Sequence, residues 1–214
     1  MSDPAIDLSE LTPTGMYGFV SRGNGLISRT IAWTTAPLSW ILFGRLRDVP
    51  THCGVGFVYP GGREVYFHAH AGDHWTGPHD IEQFRDWLRV DEDHWARRYF
   101  IAQSPDQMRH RYQTCLEKRD EWTYNISQFR WIYLHRRLGV SVPSSPKHVV
   151  CSEAVARILH PDFLRPHKAG ARWIKPDEAT PMDIMLALER ASISQLEMRR
   201  FDAYDVGVSE RTLT

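Results

Sequence analysis

The stretch THCGVGFVYPGGREVYFHAHAG, residues 51–72, contains two runs rich in Val, Phe and Tyr on either side of a Pro-Gly-Gly triplet at 60–62. Runs of β-branched and aromatic residues around a glycine-rich turn are typical of a β-hairpin. This hairpin is the clearest local signal in the chain. We therefore expect a small antiparallel sheet to be built around it.

The length of the hairpin loop decides which side chains share a face, because successive residues of a strand point to opposite sides. With a three-residue loop, Gly54 opposes His68 and His52 opposes His70, all on one side. A two-residue loop would separate these histidines. The small Gly54 and Gly56 beside them are expected to leave room for another group to approach the backbone.

A second informative stretch is KHVVCSEAVARIL, residues 147–159, in which apolar residues recur at the spacing of one helical face. They are Cys151, Ala154, Val155, Ile158 and Leu159, whereas Ser152, Glu153 and Arg157 fall outside this stripe. Cys151 points inward and has two interpretations. A buried cysteine can simply fill the core, but a thiol in the first turn of a helix meets unpaired N–H groups that favour the thiolate.

The rest of the chain predicts further helices and two more strands around the hairpin, the first of them in GMYGFVSRGNG. WARRYFIAQ indicates a strand, and helices are expected in LISRTIAWTT, after Ser104 and Pro105, in NISQFRWIYLHRRLG, and from Thr180 and Pro181. The predicted fold class is α+β, a small antiparallel sheet packed against helices. We expect one domain at 15–190, with a tail at 1–14 and an extension at 191–214.

Composition excludes several functional classes. Among 214 residues there are 26 Lys and Arg and 26 Asp and Glu, interspersed, so no basic stripe predicts nucleic-acid binding. No apolar stretch has the length of a membrane span, and no secretory signal is recognisable, which predicts a protein cytoplasmic as synthesised. Cys53, Cys115 and Cys151 fit neither a disulfide framework nor a cysteine zinc site. No cofactor is predicted.

A thiol and an imidazole from distant parts of the sequence can form a catalytic pair if a helix packs on the sheet. Attack by Cys151 on an acyl carbon requires a base, a group that orients the base, and N–H donors for the oxyanion. His52 is the candidate base, and His68 or His70 on the adjacent strand can orient it. Cys53 neighbours His52 but points to the opposite face, so it is expected to be a core residue.

The order of these elements resembles the circularly permuted branch of the NlpC-type, papain-like cysteine hydrolases, which includes YiiX-like and lecithin:retinol acyltransferase-like proteins. In that branch the histidine strand precedes the cysteine helix, as THCGVGFVYPGGREVYFHA precedes VVCSEAVARIL here. GMYGFVSRGNGLISRTIAWTT resembles the opening strand and helix of the family, WTYN its Tyr-Asn element, and ATPMDIM its closing segment. Together these cover most of residues 15–186.

The resemblance implies a permuted papain-like fold with Cys151 as nucleophile, His52 as general base and Tyr124 lining the site. Many relatives have an acidic residue where this chain has His68, so His68 is the candidate third residue. Ser152, which follows the cysteine as in the family's Cys-Ser-Glu run, and His70 are candidate substrate-binding residues. The implied reaction is hydrolysis or acyl transfer at the amide of a cell-wall peptide or at a lipid acyl group. With no recognisable signal, access to a cell wall would need lysis or delivery, as for a phage product or an effector.

Two alternatives stay open. A metal-dependent hydrolase could use His68, His70 and His74 from HAHAGDHW, although this segment is one residue longer than the H-x-H-x-D-H signature of dinuclear zinc enzymes. The third possibility is a non-catalytic binding module with the same fold. His148, three residues before Cys151, is a competing base that we expect to face solvent. Oligomeric state is not predicted.

Overall fold

A computed structural model describes residues 12–23, 25–36, 41–69, 74–81, 95–119, 121–125, 127–143, 145–159 and 175–191. Apart from residues 12–14 and Ala191, the predicted tail and extension lie outside these ranges. His70 also lies outside them. The fold is mixed, with a five-stranded antiparallel sheet and five α-helices among the described residues, which confirms the α+β class.

The main sheet has the strand order β4-β3-β2-β1-β5, and every neighbouring pair is antiparallel. The strands are β1 (Gly15–Arg22), β2 (His52–Val58), β3 (Glu64–Ala69), β4 (Trp75–Asp80) and β5 (Trp95–Ile101). The predicted hairpin is β2 and β3, and the predicted strand WARRYFIAQ is β5. Four of the five strands of the main sheet, β1, β2, β3 and β5, were therefore predicted from the sequence.

The hairpin has the three-residue loop that brings its histidines to one side. The Tyr59 amide donates to the Arg63 carbonyl over 2.8 Å, and Gly54 lies opposite His68. Gly61 and Gly62 both have a φ of 81°, a left-handed conformation that side chains beyond glycine rarely adopt. The two glycines thus make this short loop possible and set the register of both strands.

The five helices lie in the segments where the sequence predicts them. They are α1 (Leu26–Thr35), α2 (Pro105–Lys118), α3 (Gln128–Leu138), α4 (Cys151–Leu159) and α5 (Pro181–Ala191). Ser104 and Gln107 form a reciprocal capping box at the start of α2. Gly139 ends α3 in a left-handed conformation. A short parallel pair, β6 (Thr123–Tyr124) and β7 (His148–Val149), lies beside the start of α4.

Strand β4, with the sequence WTGPHD, was not predicted. Trp75, its first residue, is fully buried and stacks on Phe67 of β3 with 6.3 Å between ring centroids. Burying a side chain of this size removes a large apolar surface from water. The segment is therefore held against β3 by an aromatic contact that strand periodicity does not reveal.

The main core lies between one face of the sheet and helices α2, α4 and α5. Helix α4 packs against β2 and β3 and is buried almost all round, since Ser152, Glu153 and Ala156 are buried together with the predicted apolar stripe. Only Arg157 keeps partial exposure. Helix α4 is thus the central helix of the domain, and its first residue is Cys151.

The predicted open space beside Gly54 and Gly56 is filled. A Cβ atom at Gly54 would lie 2.4 Å from the Phe19 ring and 2.4 Å from the Phe67 carbonyl oxygen, and one at Gly56 would lie 2.1 Å from the Tyr17 ring. The expectation that these glycines admit an external group is therefore wrong. They admit aromatic rings of β1, which pack across the second face of the sheet.

Gly54→Ala is expected to destabilise the fold by about 1–3 kcal/mol, the usual cost of overpacking a core. The Phe19 ring can rotate away, but the Phe67 carbonyl belongs to the backbone of β3 and cannot. Urea unfolding measures the effect. Gly25→Ala is the matched control, because nothing lies within 4 Å of a Cβ there. Equal losses in the two variants would contradict this packing.

Candidate active site

Cys151 occupies the first helical position of α4, because the Ala154 amide donates to the Val150 carbonyl over 3.0 Å. The backbone just before Cys151 is held by the segment after β6, because the Asn125 amide donates to the Val149 carbonyl over 3.0 Å. The amides of Cys151 and the next two residues have no carbonyl partner within the helix. The predicted first-turn thiol is thus in place, with its side chain 0% exposed.

His52 is the first residue of β2, and its ring is held by His68 of β3. His52 Nε2 and His68 Nδ1 are 3.0 Å apart, and the ring planes are nearly perpendicular at 84°. A hydrogen bond also joins His52 to the Cys151 side chain. The predicted residues Cys151, His52 and His68 therefore come together as one chain of contacts.

Cys53 is buried in the core as expected, but it also belongs to the site. Its side chain is hydrogen-bonded to that of Cys151, and its backbone amide also contacts the Cys151 sulfur. Sequence reasoning missed this contact. The signal was available, because the strand face opposite His52 is the apolar face on which a helix must pack.

The pKa of Cys151 lies well below its usual value. The largest cause is the hydrogen bond from the Cys53 side chain; the hydrogen bond and positive charge of His52 and the Cys53 amide act in the same direction, against the opposing effect of burial. Burial and the neighbouring Cys151 charge raise the pKa of Cys53. The two pKa shifts therefore have opposite directions, which favours the thiolate at Cys151 and the thiol at Cys53.

Tyr124 lies close to both sulfurs, as its predicted place in the site requires. The pKa of its hydroxyl is raised, first by burial and then by the electrostatic effect of the neighbouring Cys151 and Cys53 side chains. Its position follows from the parallel pairing of β6 with β7, in which Tyr124 is the partner of Val149. A protonated phenol thus stands near the thiolate and can donate a hydrogen bond.

Behind the nucleophile, the polar residues of the first turn of α4 have partners inside the protein. The Ser152 hydroxyl donates to the Ala179 carbonyl over 2.7 Å, ahead of α5. The Glu153 carboxylate, with a side chain 0% exposed, accepts from Gln128 Nε2 over 2.6 Å and from Arg157. These bonds tie α4 to α3 and to the segment before α5, so they orient the helix that carries Cys151.

The remaining histidines are divided between the site and the surface. His79 of β4 packs beside His68 with 5.4 Å between ring centroids, a contact that sequence reasoning did not identify. His148 is exposed, as expected, and bonds to Thr123. His74 is exposed at the start of β4. Within the described ranges, no group of three His, Cys, Asp or Glu side chains could hold a metal ion.

No family model matches the chain, and no curated protein or solved structure matches it. The permuted papain-like assignment therefore stays a prediction, and the functional argument depends on the geometry of the site itself. Over the part of the chain that the structure describes, no helix is long and apolar enough to cross a bilayer.

Alkylation of Cys151 by iodoacetamide is expected to follow a pH profile centred below about 8.5, the value of a free thiol. Because Cys151 is buried, alkylation requires the site to open. If the opening equilibrium is independent of pH, it lowers the alkylation rate by the same factor at every pH and leaves the midpoint of the profile unchanged. The profile should move to higher pH in His52→Ala and Cys53→Ala, which remove donors to the thiolate. Peptide mass spectrometry after labelling follows each cysteine separately.

Two controls accompany this experiment. Cys53→Ser keeps a hydroxyl donor and should leave the profile close to that of the wild type, while His110→Ala removes an exposed histidine of α2 and should leave it unchanged. Cys115 is an internal reference, since it is equally buried and burial raises its pKa. A Cys151 profile that is indifferent to both His52 and Cys53 would refute the activated thiolate.

Arg157→Ala is expected to destabilise the protein by about 2–3 kcal/mol, because it leaves the Glu153 carboxylate buried without its cation. Burial raises the pKa of Glu153 and Arg157 opposes that rise, so the loss should grow as the pH increases and the carboxyl must ionise. The loss of stability is measured by chemical denaturation at pH values below and above the titration of Glu153. The double variant Glu153→Gln/Arg157→Ala should recover most of the stability; equal stability of single and double variants would contradict the role of charge.

Proposed function

We propose that the protein is a thiol-dependent hydrolase or acyltransferase that acts on an amide or ester bond. The observation that carries the proposal is the position of Cys151 at the start of α4. There its side chain contacts His52 and Cys53, and both contacts lower its pKa. A buried anion costs free energy unless it is paired and hydrogen-bonded. An arrangement that favours the charged form of a buried thiol is characteristic of a nucleophile.

The proposed reaction proceeds through a thioester. The Cys151 sulfur attacks the carbonyl carbon of the substrate, and the carbonyl oxygen becomes an oxyanion close to the backbone amide of Cys151. The imidazolium of His52 then protonates the leaving amine or alcohol as the tetrahedral intermediate collapses. In the second half-reaction, neutral His52 removes a proton from water or another acceptor, which attacks the thioester and releases Cys151.

His68 acts through His52 rather than on the substrate. When both nitrogens of His52 carry protons, His52 Nε2 donates a hydrogen bond to His68 Nδ1. Neutral His68 must then carry its single ring proton on its own Nε2. The hydrogen bond between the two rings orients His52 beside Cys151. A neutral imidazole lacks the charge of a carboxylate, so we propose that Cys53 supplies part of the thiolate stabilisation that an acidic third residue gives elsewhere.

The order of the elements also supports the proposal. A histidine at the start of β2 and a cysteine at the start of α4, in this order along the chain, are features by which it resembles permuted NlpC-type hydrolases. His68, opposite Gly54 on β3, stands where many relatives have an acidic residue. Tyr124 near the sulfur fits the lining role that the resemblance implies. The substrate class remains the one proposed from the sequence, a peptide amide or a lipid acyl group.

Acylation by an activated ester such as p-nitrophenyl acetate tests the proposal. The expected result is release of p-nitrophenolate together with an acetyl mass on the Cys151 peptide, because the thiolate displaces the phenolate. Cys151→Ala should abolish both signals, and His52→Ala should lower acylation by about a hundredfold or more. His68→Ala should have an intermediate effect that His68→Asp reverses, since aspartate can accept from the same imidazole.

Chelation and an exposed histidine provide the controls. Acylation should persist in EDTA and in His74→Ala, which removes one of the residues suggested for a metal site. Acetylation elsewhere in the protein with none at Cys151, or turnover that survives Cys151→Ala and is lost with EDTA, would reject the thiol mechanism.

A further inference from the structure

The exposed large hydrophobic side chains of the described chain are confined to two segments. They lie at positions 26–43 and 138–140 and are Leu26, Ile27, Trp33, Leu42, Phe43, Leu138 and Val140. Leu26, Phe43 and Leu138 are the extremes, at 82%, 79% and 72% exposed. Single exposed apolar residues are common on protein surfaces, but their concentration in one region indicates an interaction surface.

The two segments meet at one aromatic contact. Trp33 of α1 stacks on Tyr133 of α3, with 5.9 Å between ring centroids and 25° between ring planes. Leu26, Arg29 and Trp33 recur at the spacing of one helical face, so an apolar and cationic row runs along the outside of α1. Trp33 remains 49% exposed despite the stack. The aromatic pair therefore lies at the surface and joins both helices.

Helix α3 continues this surface on the other side of the stack. Arg130, Tyr133, Arg137 and Leu138 share its outer face at helical spacing. The Arg137 guanidinium lies 5.8 Å from the centre of the Tyr133 ring. We call the exposed residues of α1, α3 and the segment 41–48 the α1–α3 face. Residues 41–48 belong to it because they pack against the end of α1 in a small separate core.

The α1–α3 face is also cationic. Residues 25–48 and 127–143 contain six arginines and one acidic residue, Asp48, in a chain whose basic and acidic residues are equal in number. Two of these arginines are paired with carboxylates, Arg45 with Asp48 and Arg136 with Asp183. The other four are exposed; they are Arg29, Arg47, Arg130 and Arg137. Within these two segments, the exposed apolar residues thus stand among six arginines and a single acidic residue.

We propose that the α1–α3 face docks on an anionic lipid bilayer. Exposed Leu, Ile and Phe side chains can enter the boundary between headgroups and acyl chains, while Trp and Tyr favour the interfacial level. The guanidinium of arginine can donate two parallel hydrogen bonds to a lipid phosphate, and each cation near an anionic leaflet adds to the attraction. The combination of apolar insertion with positive charge is what stable peripheral binding requires.

Docking in this way places the candidate active site near the bilayer. Strand β1 ends at Arg22 and β2 begins at His52, with Ser21 opposite His52, so the chain between them leaves and re-enters the sheet at its catalytic end. That intervening chain contains α1 and residues 41–48. Docking goes beyond the proposed function, because it needs no chemistry at Cys151.

Sedimentation of the full chain with sucrose-loaded vesicles tests the docking. Binding is expected to vesicles of phosphatidylcholine mixed with phosphatidylglycerol, to weaken with added salt, and to be much weaker on phosphatidylcholine alone. Arg29→Gln/Arg137→Gln should lower the partition coefficient by about tenfold or more. The matched control is Arg119→Gln/Arg190→Gln, which neutralises two exposed arginines outside the face and should change it little.

The apolar contribution is measured with Leu26→Ser/Phe43→Ser/Leu138→Ser, which should bind even mixed vesicles weakly while melting as a folded protein by circular dichroism. Cys151→Ala should bind as the wild type does, so a failure of catalysis and a failure of docking are distinguished. Three results overturn the proposal: no sedimentation with anionic vesicles, equal sedimentation of all variants, or light scattering that shows self-association abolished by the apolar variant.

Discussion

The contact between the first turn of α4 and the beginning of β2 is the constraint on which the site depends. There the Cys151 sulfur meets the side chain and amide of Cys53, which is buried with it, and the half-buried side chain of His52. A buried sulfur anion is tolerated only with such donors around it. The same contact also carries the packing of α4 on the sheet, so stability and thiol activation depend on one arrangement.

Much of the remaining structure holds the two sides of this contact in place. On the sheet side, the short hairpin loop sets the register that puts His68 beside His52, and Phe19 fills the space above Gly54. On the helix side, Glu153 links α4 to Gln128 of α3 and is paired with Arg157 of α4 itself, while β6 and β7 fix the backbone just before Cys151. Neither half contains the site alone. Docking through the α1–α3 face would bring this assembled end of the sheet to a bilayer without altering it.

Local patterns predicted a large part of this architecture. The hairpin, the five helices and the first-turn position of Cys151 follow from strand alternation, helical spacing and capping residues, which act over a few neighbouring residues. The predictions that were wrong or incomplete involve contacts across elements. Strand β4 depends on Trp75 stacking on Phe67, the space at Gly54 is taken by a ring from another strand, and Cys53 meets a helix from a distant part of the sequence.

The sequence by itself determined which residues could take part in catalysis. The thiol, imidazole and phenol groups follow directly from the residue types, and the start of a helix is set by a few neighbouring residues. The sequence left open whether His52 and His68 share a face, because a two-residue hairpin loop would separate them, and the three-residue loop of the structure brings them together. Only the tertiary structure decided that Cys151 is held by Cys53 as well as by His52. The physical reason is that helix position on a sheet is set by the fit of many buried side chains, and a shift of one residue would exchange the groups that meet.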